Sequence, residues 1–248
     1  HTFIEIADFF NEEKGIESIN FAKIIKDNFE HSSLAAHSPY TCSPNFIEKT
    51  ADESKIVYSI HNQETKHEDL MYLNGKSKIL DLIKKRKYTG NFQKTAKSSL
   101  KSYLPKIRKN DLNIILVHNL FTNEEDIIFA EKENTNLFWC ICSNSNYFIQ
   151  EKRPQIDRFV KNNAKICLGT DSLASNNSLS IIDEMKNFTD YNFIDVLKWA
   201  TINGAKALKI DDVFGSIEIG KQPGLNLITK FDFENFHLTS NSRIKVLI

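Results

Sequence analysis

Short apolar runs alternate with longer mixed stretches along this chain of 248 residues. The runs are rich in small, β-branched or aromatic residues, a composition typical of strands, and they cover residues 34–37, 56–61, 113–118, 136–142 and 165–171. Acidic first-turn residues, a first-turn proline and apolar spacings of three to four predict helices at 123–132, 154–163, 177–188 and 193–208. Alternating strands and helices predict a parallel α/β fold, with strands buried on both faces.

An ionisable residue lies at or just beyond the end of four of these runs. These residues are His37, His61, His118 and Asp171. In an α/β barrel, the active residues lie at the carboxyl ends of the strands, which meet at one end of the barrel. A single histidine in this position would more often be a buried structural residue, but four successive strand ends together indicate a metal or catalytic site.

Glu64 follows His61 by three residues, on the first turn beyond the strand. A neutral imidazole can bind a divalent metal, and a carboxylate at this distance can accept a proton from metal-bound water and pass it to a leaving group. Alternatively, Glu64 only caps the following helix. The residues by themselves leave both interpretations open.

Asp171 and His118 each have a functional and a structural interpretation. The carboxylate of Asp171 is a suitable ligand for zinc, iron or manganese, or it caps a turn or the next helix. His118 can polarise an attacking water or stabilise a developing oxyanion, or it is a buried histidine bonded to a backbone carbonyl.

Composition excludes several classes of protein. The 32 basic and 32 acidic residues balance, which argues against a general nucleic-acid binder. We expect no membrane span and no signal peptide, because the chain has no long apolar run and no basic start followed by an apolar stretch. The four cysteines form no C-x-x-C pair, which argues against a zinc ribbon. Cys140 and Cys142 lie two apart in an apolar run and are expected to be buried thiols in a reducing compartment, which predicts a cytoplasmic protein.

Residues 76–110 form a strongly basic segment, with twelve Lys or Arg residues and one acidic residue, Asp81. A helical hairpin here could form a lid over the site and favour a substrate with a carboxylate or phosphate group. We favour the simpler interpretation of a lysine-rich helix face in water, because lysine in long runs usually faces solvent.

Residues 61–65, His-Asn-Gln-Glu-Thr, resemble the H-x-x-E-[ST] motif of the amidohydrolase superfamily. The resemblance is to the branch of cytosine, guanine and adenosylhomocysteine deaminases and chlorohydrolases. Five other segments resemble further motifs of that branch, in the same order along the chain. Three of them are residues 36–43 (A-P-H-A-P-Y-T-x-S), 168–177 (L-G-T-D-x-x-x-S-N-N) and 201–208 (T-x-N-G-A-x-A-L). The other two are residues 142–146, which resemble C-P-x-S-N with Ser143 for proline, and residues 215–225, which resemble G-S-[IL]-E-x-G-K-x-A-D-[LF] with Pro-Gly for Ala-Asp. The resemblance extends from about residue 37 to residue 228.

This resemblance implies a role for each strand-end residue. His61 and Asp171 match metal ligands, Glu64 matches the proton shuttle, His118 matches the histidine that orients the water or the tetrahedral oxygen, and His37 matches a substrate-contacting histidine. The implied reaction is attack of metal-bound hydroxide on an amidine-like carbon, with loss of ammonia and with Asp171 accepting the hydroxide proton. The implied cofactor is one divalent metal, zinc or else iron, and the implied substrate is an aminopurine nucleoside or a similar heterocycle.

Two departures from the family pattern define the expected architecture. The family's first barrel strand ends in H-x-H, which supplies two metal ligands, and this chain contains no H-x-H. We therefore expect a (β/α)8 TIM-type barrel that lacks its first strands, with further ligands upstream of His1. The family also pairs the barrel with a small β-sandwich domain built from both termini, and here only a C-terminal piece could belong to it. Residues 1–214 would form the partial barrel, and residues 215–248 would form the C-terminal part of that domain.

The competing hypothesis is a catalytically incomplete barrel fragment that holds no metal and serves only as a folded or interaction unit. The expected partner of the enzyme is a small heterocyclic substrate, with no nucleic acid and no membrane. A homodimer is left as an open alternative.

Overall fold

A computed structural model describes residues 1–86, 90–107 and 111–248 of the chain. The strands are β1 (Thr2–Ile6), β2 (Ser32–Ala36), β3 (Val57–Asn62), β4 (Asn113–His118), β5 (Leu137–Ile141), β6 (Ile166–Leu168), β7 (Asn226–Asp232) and β8 (His237–Val246). The helices are α1 (Glu12–Lys26), α2 (Pro44–Asp52), α3 (Lys66–Asn74), α4 (Lys78–Lys85), α5 (Ser99–Tyr103), α6 (Glu124–Glu133), α7 (Ser143–Gln150), α8 (Ile156–Lys161), α9 (Ile181–Met185), α10 (Phe193–Ala200) and α11 (Ile202–Ala207). Short 3₁₀ turns cover Leu104–Lys106 and Lys186–Phe188.

The first six strands run parallel and follow one another in chain order. β1 pairs with β2, and β3, β4, β5 and β6 form a second sheet in that order. The backbone N–H of His61 donates to the carbonyl of His37 at 3.1 Å, so β2 ends beside β3. This arrangement confirms the predicted parallel α/β fold and brings the carboxyl ends of the strands to one edge. β7 and β8 form a separate antiparallel hairpin.

The strands β3 to β6 are buried on both faces, as their continuous apolar runs predict. Outward residues such as Tyr58, Leu116 and Trp139 pack with the helices in the main core. Inward residues of these strands, together with Ala207 of α11, form a second, smaller cluster, whose buried members are Val57, Ile115, Phe138, Cys167 and Ala207. The inward face therefore has an apolar floor, and polar residues gather at its carboxyl end.

Three features differ from the sequence-based expectation. β1 was not predicted, because Glu5 interrupts its apolar residues. The helix expected at 177–188 begins only at Ile181, since the polar residues before it hydrogen-bond in a loop: Asn176 donates to the carbonyl of Thr170 at 2.7 Å. The helix expected at 193–208 is divided at Thr201, whose φ of −130° and ψ of −92° are not helical.

The basic segment is partly described, and residues 87–89 and 108–110 lie outside the described residues. Most of its described lysines are exposed, which agrees with the interpretation of a solvated face. Two of them are half-buried and paired: Lys101 lies 3.3 Å from Asp126, and Lys106 lies 3.3 Å from Glu48. α5 is thus fixed to its neighbours, which does not favour a lid built on it.

Two further expectations concern the membrane and the cysteines. In the part of the chain that the structure describes, no helix combines the length and the apolar character needed to span a bilayer. The four cysteines are free thiols, and Cys42, Cys142 and Cys167 are buried while Cys140 is half-buried.

Candidate active site

The structure brings three of the predicted histidines into one row across the strand ends. The ring centroids of His37 and His61 are 5.1 Å apart, and those of His61 and His118 are 5.3 Å apart. Glu64 joins this row, because its Oε1 lies 3.8 Å from Nε2 of His118. Asp171 connects to the same row through residues of α7.

His61 is oriented by a bond to the neighbouring strand end. Its Nδ1 lies 2.6 Å from the carbonyl oxygen of His37, and Nδ1–Oε2 of Glu5 is 3.6 Å. A carbonyl oxygen can only accept, so Nδ1 carries a hydrogen, and in the neutral form of the ring Nε2 is the unprotonated nitrogen. The lone pair of Nε2 is then free, which is the arrangement that metal-binding histidines adopt.

His37 is held from its other side. Its Nδ1 lies 2.6 Å from Oγ1 of Thr41 and 2.9 Å from Oγ of Ser38, and its ring packs edge-on against Tyr40. Burial, followed by the neighbouring charge of His61, lowers the pKa of His37. A neutral His37 ring therefore faces the row at neutral pH.

Glu64 does not cap the helix that follows it. Thr65 occupies the N-cap position of α3 and accepts from the N–H of His67. Oε2 of Glu64 instead accepts a hydrogen bond from the hydroxyl of Tyr40 at 3.0 Å, while Oε1 faces His118. Burial and the nearby carboxylate raise the pKa of Tyr40, so Tyr40 remains a neutral donor to Glu64. The capping interpretation is therefore wrong, and the carboxylate lies among the site residues.

His118 is 2% exposed and is fixed by one amide side chain. Its Nδ1 lies 3.0 Å from Oδ1 of Asn146, and Nδ2 of Asn146 donates to the carbonyl of His118 at 3.3 Å. Because the amide oxygen accepts, Nδ1 carries a hydrogen, and Nε2 is the ring nitrogen that faces Oε1 of Glu64 at 3.8 Å. The alternative of a bond from the His118 ring to a backbone carbonyl is wrong.

Asp171 lies in the loop after β6, ten residues before the next helix, and does not cap it. Its Oδ2 accepts from the hydroxyls of Ser145 and Ser175, each at 2.6 Å. Burial acts to raise the pKa of Asp171, but the hydroxyl bonds from Ser145 and Ser175, together with a backbone bond at Ser172 and the proximity of His118, hold the pKa below its usual value. Asp171 is therefore ionised at neutral pH.

The first turn of α7 joins two of these residues. Ser145 bonds Asp171 and Asn146 bonds His118, so adjacent positions of one helix hold side chains from two strand ends. Glu184 accepts from the N–H of Asn144 at 3.1 Å and so holds this turn in place. Ser145 and Asn146 lie in the 142–146 motif, so the sequence pointed to this segment. The motif alone assigned no role to either side chain.

Replacing Asn146 with Ala should lower kcat by about 10- to 100-fold. The buried Nδ1–H of His118 would lose its acceptor, and the ring would no longer be held in one tautomer and one orientation. Asn146→Asp, which keeps an oxygen acceptor, should lose less. Steady-state kinetics of both variants in the complete protein check this, and equal losses for the two variants would contradict it.

The backbone at the strand ends is strained. Gln63, His118 and Asp171 have φ values of 44°, 76° and 58°. These values lie in the left-handed region, which L residues other than glycine seldom adopt and which clusters at functional sites. Three of the strand ends in the row therefore carry a conformation that the surrounding bonds must maintain.

The donor set suits a metal but is incomplete. Among the described residues, no group of three or more His, Cys, Asp or Glu side chains could hold a metal ion. His61 offers a free imidazole nitrogen and Asp171 an ionised carboxylate, which are two of the donor types found at catalytic zinc sites, where three protein ligands are usual. The two side chains therefore fit part of a metal site.

Glu68 is a completely buried carboxyl beneath the row. Its Oε1 accepts from the N–H of Gln63 at 3.0 Å and from the hydroxyl of Ser99, while its Oε2 has no partner among the described residues. Burial raises the pKa of Glu68 to about 8, against the opposing hydrogen bond from Ser99. The protonated form therefore predominates in the folded protein at neutral pH.

When the pH is raised, the free energy of unfolding of the Glu68→Gln variant should fall less than that of the wild type. Between about pH 4.5, the ordinary pKa, and about pH 8, folded Glu68 keeps a proton that the unfolded chain releases. Stability must then fall as the pH rises through that window, by an amount on the order of a few kcal/mol. The test compares unfolding free energies of wild type, Glu68→Gln and the exposed control Glu13→Gln across the window; the same slope in all three would contradict it.

The sequence matches the model of the amidohydrolase family over residues 10–247. It is 29% identical over 209 residues to a 5-methylthioadenosine/S-adenosylhomocysteine deaminase of Thermoanaerobacter pseudethanolicus, covering 79% of this chain and 43% of that protein. It is 30% identical over 244 residues to a 5'-deoxyadenosine deaminase of Methanococcus vannielii, covering 89% of this chain and 52% of that protein. The chain thus spans about half the length of these relatives.

The fold also matches a solved structure. Aminofutalosine deaminase of Helicobacter pylori superposes with a TM-score of 0.75 at 25% sequence identity, over 90% of this chain and 58% of that chain. The parallel strands therefore belong to an architecture already seen in a deaminase.

Proposed function

The chain belongs to the amidohydrolase family, and from this premise we propose that the complete protein is a metal-dependent deaminase of adenine nucleosides. The reaction would hydrolyse the C–N bond between the purine ring and its amino group and release ammonia. The observation that carries the proposal is the position of Glu64: its carboxylate lies between Tyr40 and His118, beside a His61 ring whose Nε2 is free.

Members of the family use a divalent metal. In this chain, His61 and Asp171 would hold it, with further ligands upstream of His1. We propose zinc as the metal, with iron as the alternative. When bound, such an ion supplies Lewis acidity that lowers the pKa of a water molecule toward neutrality.

The remaining residues would move protons and orient the substrate. Glu64 would take a proton from the attacking water and deliver it to a ring nitrogen, a role that contributes about 10²- to 10⁴-fold in rate. Nε2 of His118 would orient the water or the oxygen of the tetrahedral intermediate. Asp171 would accept the second proton of the water and pass it on to the amino group, which leaves as ammonia. His37 would contact the substrate from the end of β2.

The substrate proposal rests on the names of the relatives. Both curated relatives are named for adenosine derivatives altered at the 5' position, and they cover 79% and 89% of this chain. We therefore place an adenine nucleoside with a modified 5' carbon first, and a guanine-type or halogenated heterocycle second. The hypothesis of an inactive folded unit is not favoured, because the deaminase relatives align across the row of site residues.

The finer architecture is part of the same proposal. We propose that residues 1–214 form six strands of a (β/α)8 barrel whose first strands precede His1, since β1 to β6 are parallel and follow chain order. Residues 215–248 would contribute the β7–β8 hairpin to a small β-sandwich domain.

Ammonia release by the complete protein tests this proposal. The panel contains 5'-deoxyadenosine, 5-methylthioadenosine, S-adenosylhomocysteine, guanosine and a chlorinated triazine. We expect release from the adenine nucleosides, lost on chelation of divalent metal and restored by zinc or iron. Ammonia release only from guanosine, or chloride release only from the triazine, would overturn the substrate, and release of neither product from any compound in the metal-loaded protein would overturn the function.

A further inference from the structure

Gln63 lies between His61 and Glu64 and is completely buried. Its φ of 44° is in the left-handed region, so the chain turns sharply directly after β3. Glutamine, like other L residues with a Cβ atom, does not favour this backbone conformation. Interactions of its backbone and side chain must therefore keep it there.

Every hydrogen-bonding group of Gln63 has a partner from another part of the chain or from its neighbour. Its N–H donates to Oε1 of Glu68 at 3.0 Å, and its carbonyl accepts from the N–H of Phe121 at 2.9 Å. Nε2 donates to Oδ2 of Asp69 at 3.0 Å and to Oδ2 of Asp126 at 2.7 Å. These partners belong to α3, to α6 and to the loop that follows β4.

The first turn of α5 fixes the three carboxyl groups that surround Gln63. Ser99 donates its N–H to Oδ1 of Asp69 at 2.8 Å and its hydroxyl to Glu68. Ser98 donates its hydroxyl to Oδ1 of Asp126 at 2.8 Å. Lys101 lies 3.3 Å from the same oxygen of Asp126 and partly balances its charge. The cradle around Gln63, formed by Glu68, Asp69 and Asp126, is therefore rigid.

An uncharged donor of two hydrogens suits this cradle. The amide of Gln63 satisfies two carboxylates at once and brings no further charge into a buried acidic environment. The turn that results directs the next residue, Glu64, back across the strand ends toward Tyr40 and His118. Small displacements of a reacting group can lower the rate about 10²-fold. A turn that fixes the position of Glu64 would therefore keep the rate of the chemical step high.

We propose that Gln63 is a positioning residue, which acts on catalysis by holding Glu64 in its place between Tyr40 and His118. The inference rests on the proposed function, because Glu64 is the proton carrier in that function. Gln63 itself touches no reacting atom. Its contribution should therefore appear in kcat and should depend on the presence of the Glu64 carboxylate.

The test is a double-mutant cycle in the complete protein, with 5'-deoxyadenosine as substrate. Gln63→Met keeps the length of the side chain and removes the three amide hydrogen bonds, to Asp69, Asp126 and Asn62. We expect kcat to fall about 10- to 100-fold with KM changed by less than about threefold. In the Glu64→Gln background, the same substitution should change kcat by less than about threefold, because the group it positions is already absent. Gln93→Met, at an exposed position, is the matched control and should leave kcat unchanged.

Two results would overturn the inference: an unchanged kcat in Gln63→Met, or an equal fall in kcat in both backgrounds, which would show a general structural effect. A crystal structure of Gln63→Met gives a readout without turnover. Displacement of the Glu64 carboxylate from Tyr40 supports the inference, and an unmoved carboxylate contradicts it. If the wild type releases no ammonia, the proposed function fails, and the crystal structure alone decides the role of Gln63.

Discussion

Glu64→Gln should lower kcat for deamination by about 10³-fold while KM stays within about threefold. The amide has nearly the same shape, and its oxygen can still accept the hydrogen bond that Tyr40 now donates to Glu64 at 3.0 Å. It cannot take a proton from water and return it to a ring nitrogen. The loss should therefore fall on the chemical step and leave binding almost intact.

Ammonia release from 5'-deoxyadenosine measures this effect in the complete protein. Glu13→Gln is the matched control, because Glu13 is exposed on α1, and it should retain full activity. A Glu64→Gln variant that folds, binds metal and turns over at more than about a tenth of the wild-type rate would remove Glu64 from the mechanism.

Asp171→Asn should also lower kcat by about 10³-fold or more, and should in addition reduce the bound metal. The amide oxygen can still accept from Ser145 and Ser175, which bond Asp171 at 2.6 Å. The substitution removes the negative charge that would bind a cation and accept a proton. This separates it from Glu64→Gln, which should keep its full metal content.

Metal analysis of the purified variants distinguishes the two losses. Asp212→Asn, at an exposed position, is the control and should keep both metal and activity. An Asp171→Asn protein with the full wild-type metal content and normal turnover would show that this carboxylate is neither a ligand nor a proton acceptor.

Much of the row of site residues was predictable, because the carboxyl ends of parallel strands meet at one edge. The runs ending at His61 and His118 became β3 and β4, and the structure places these two rings 5.3 Å apart. β1 was missed because Glu5, which lies 3.6 Å from Nδ1 of His61, interrupts its otherwise apolar residues. The helix expected from residue 177 begins only at Ile181, because hydrogen bonds of the preceding loop, such as that from Asn176 to Thr170, compete with the helix.

Groups that act through long-range hydrogen bonds could not be found in the sequence. Asp126 fits the pattern of an acidic first turn, yet its carboxylate is buried and accepts from Gln63, 63 positions away. Asn146 lies 28 positions from His118 and determines which ring nitrogen carries the hydrogen. The local sequence pattern identifies which residues can react. The hydrogen-bond partners that position those residues become visible only in the folded structure.

Anomalous diffraction from crystals of the complete protein, recorded at the zinc and iron absorption edges, tests whether His61 and Asp171 hold the metal. We expect one metal peak at about 2.0–2.2 Å from Nε2 of His61 and from a carboxylate oxygen of Asp171, on the side of the strand ends where Glu64 lies. A metal bound elsewhere, with no peak between His61 and Asp171 in a protein that deaminates adenine nucleosides, would contradict it.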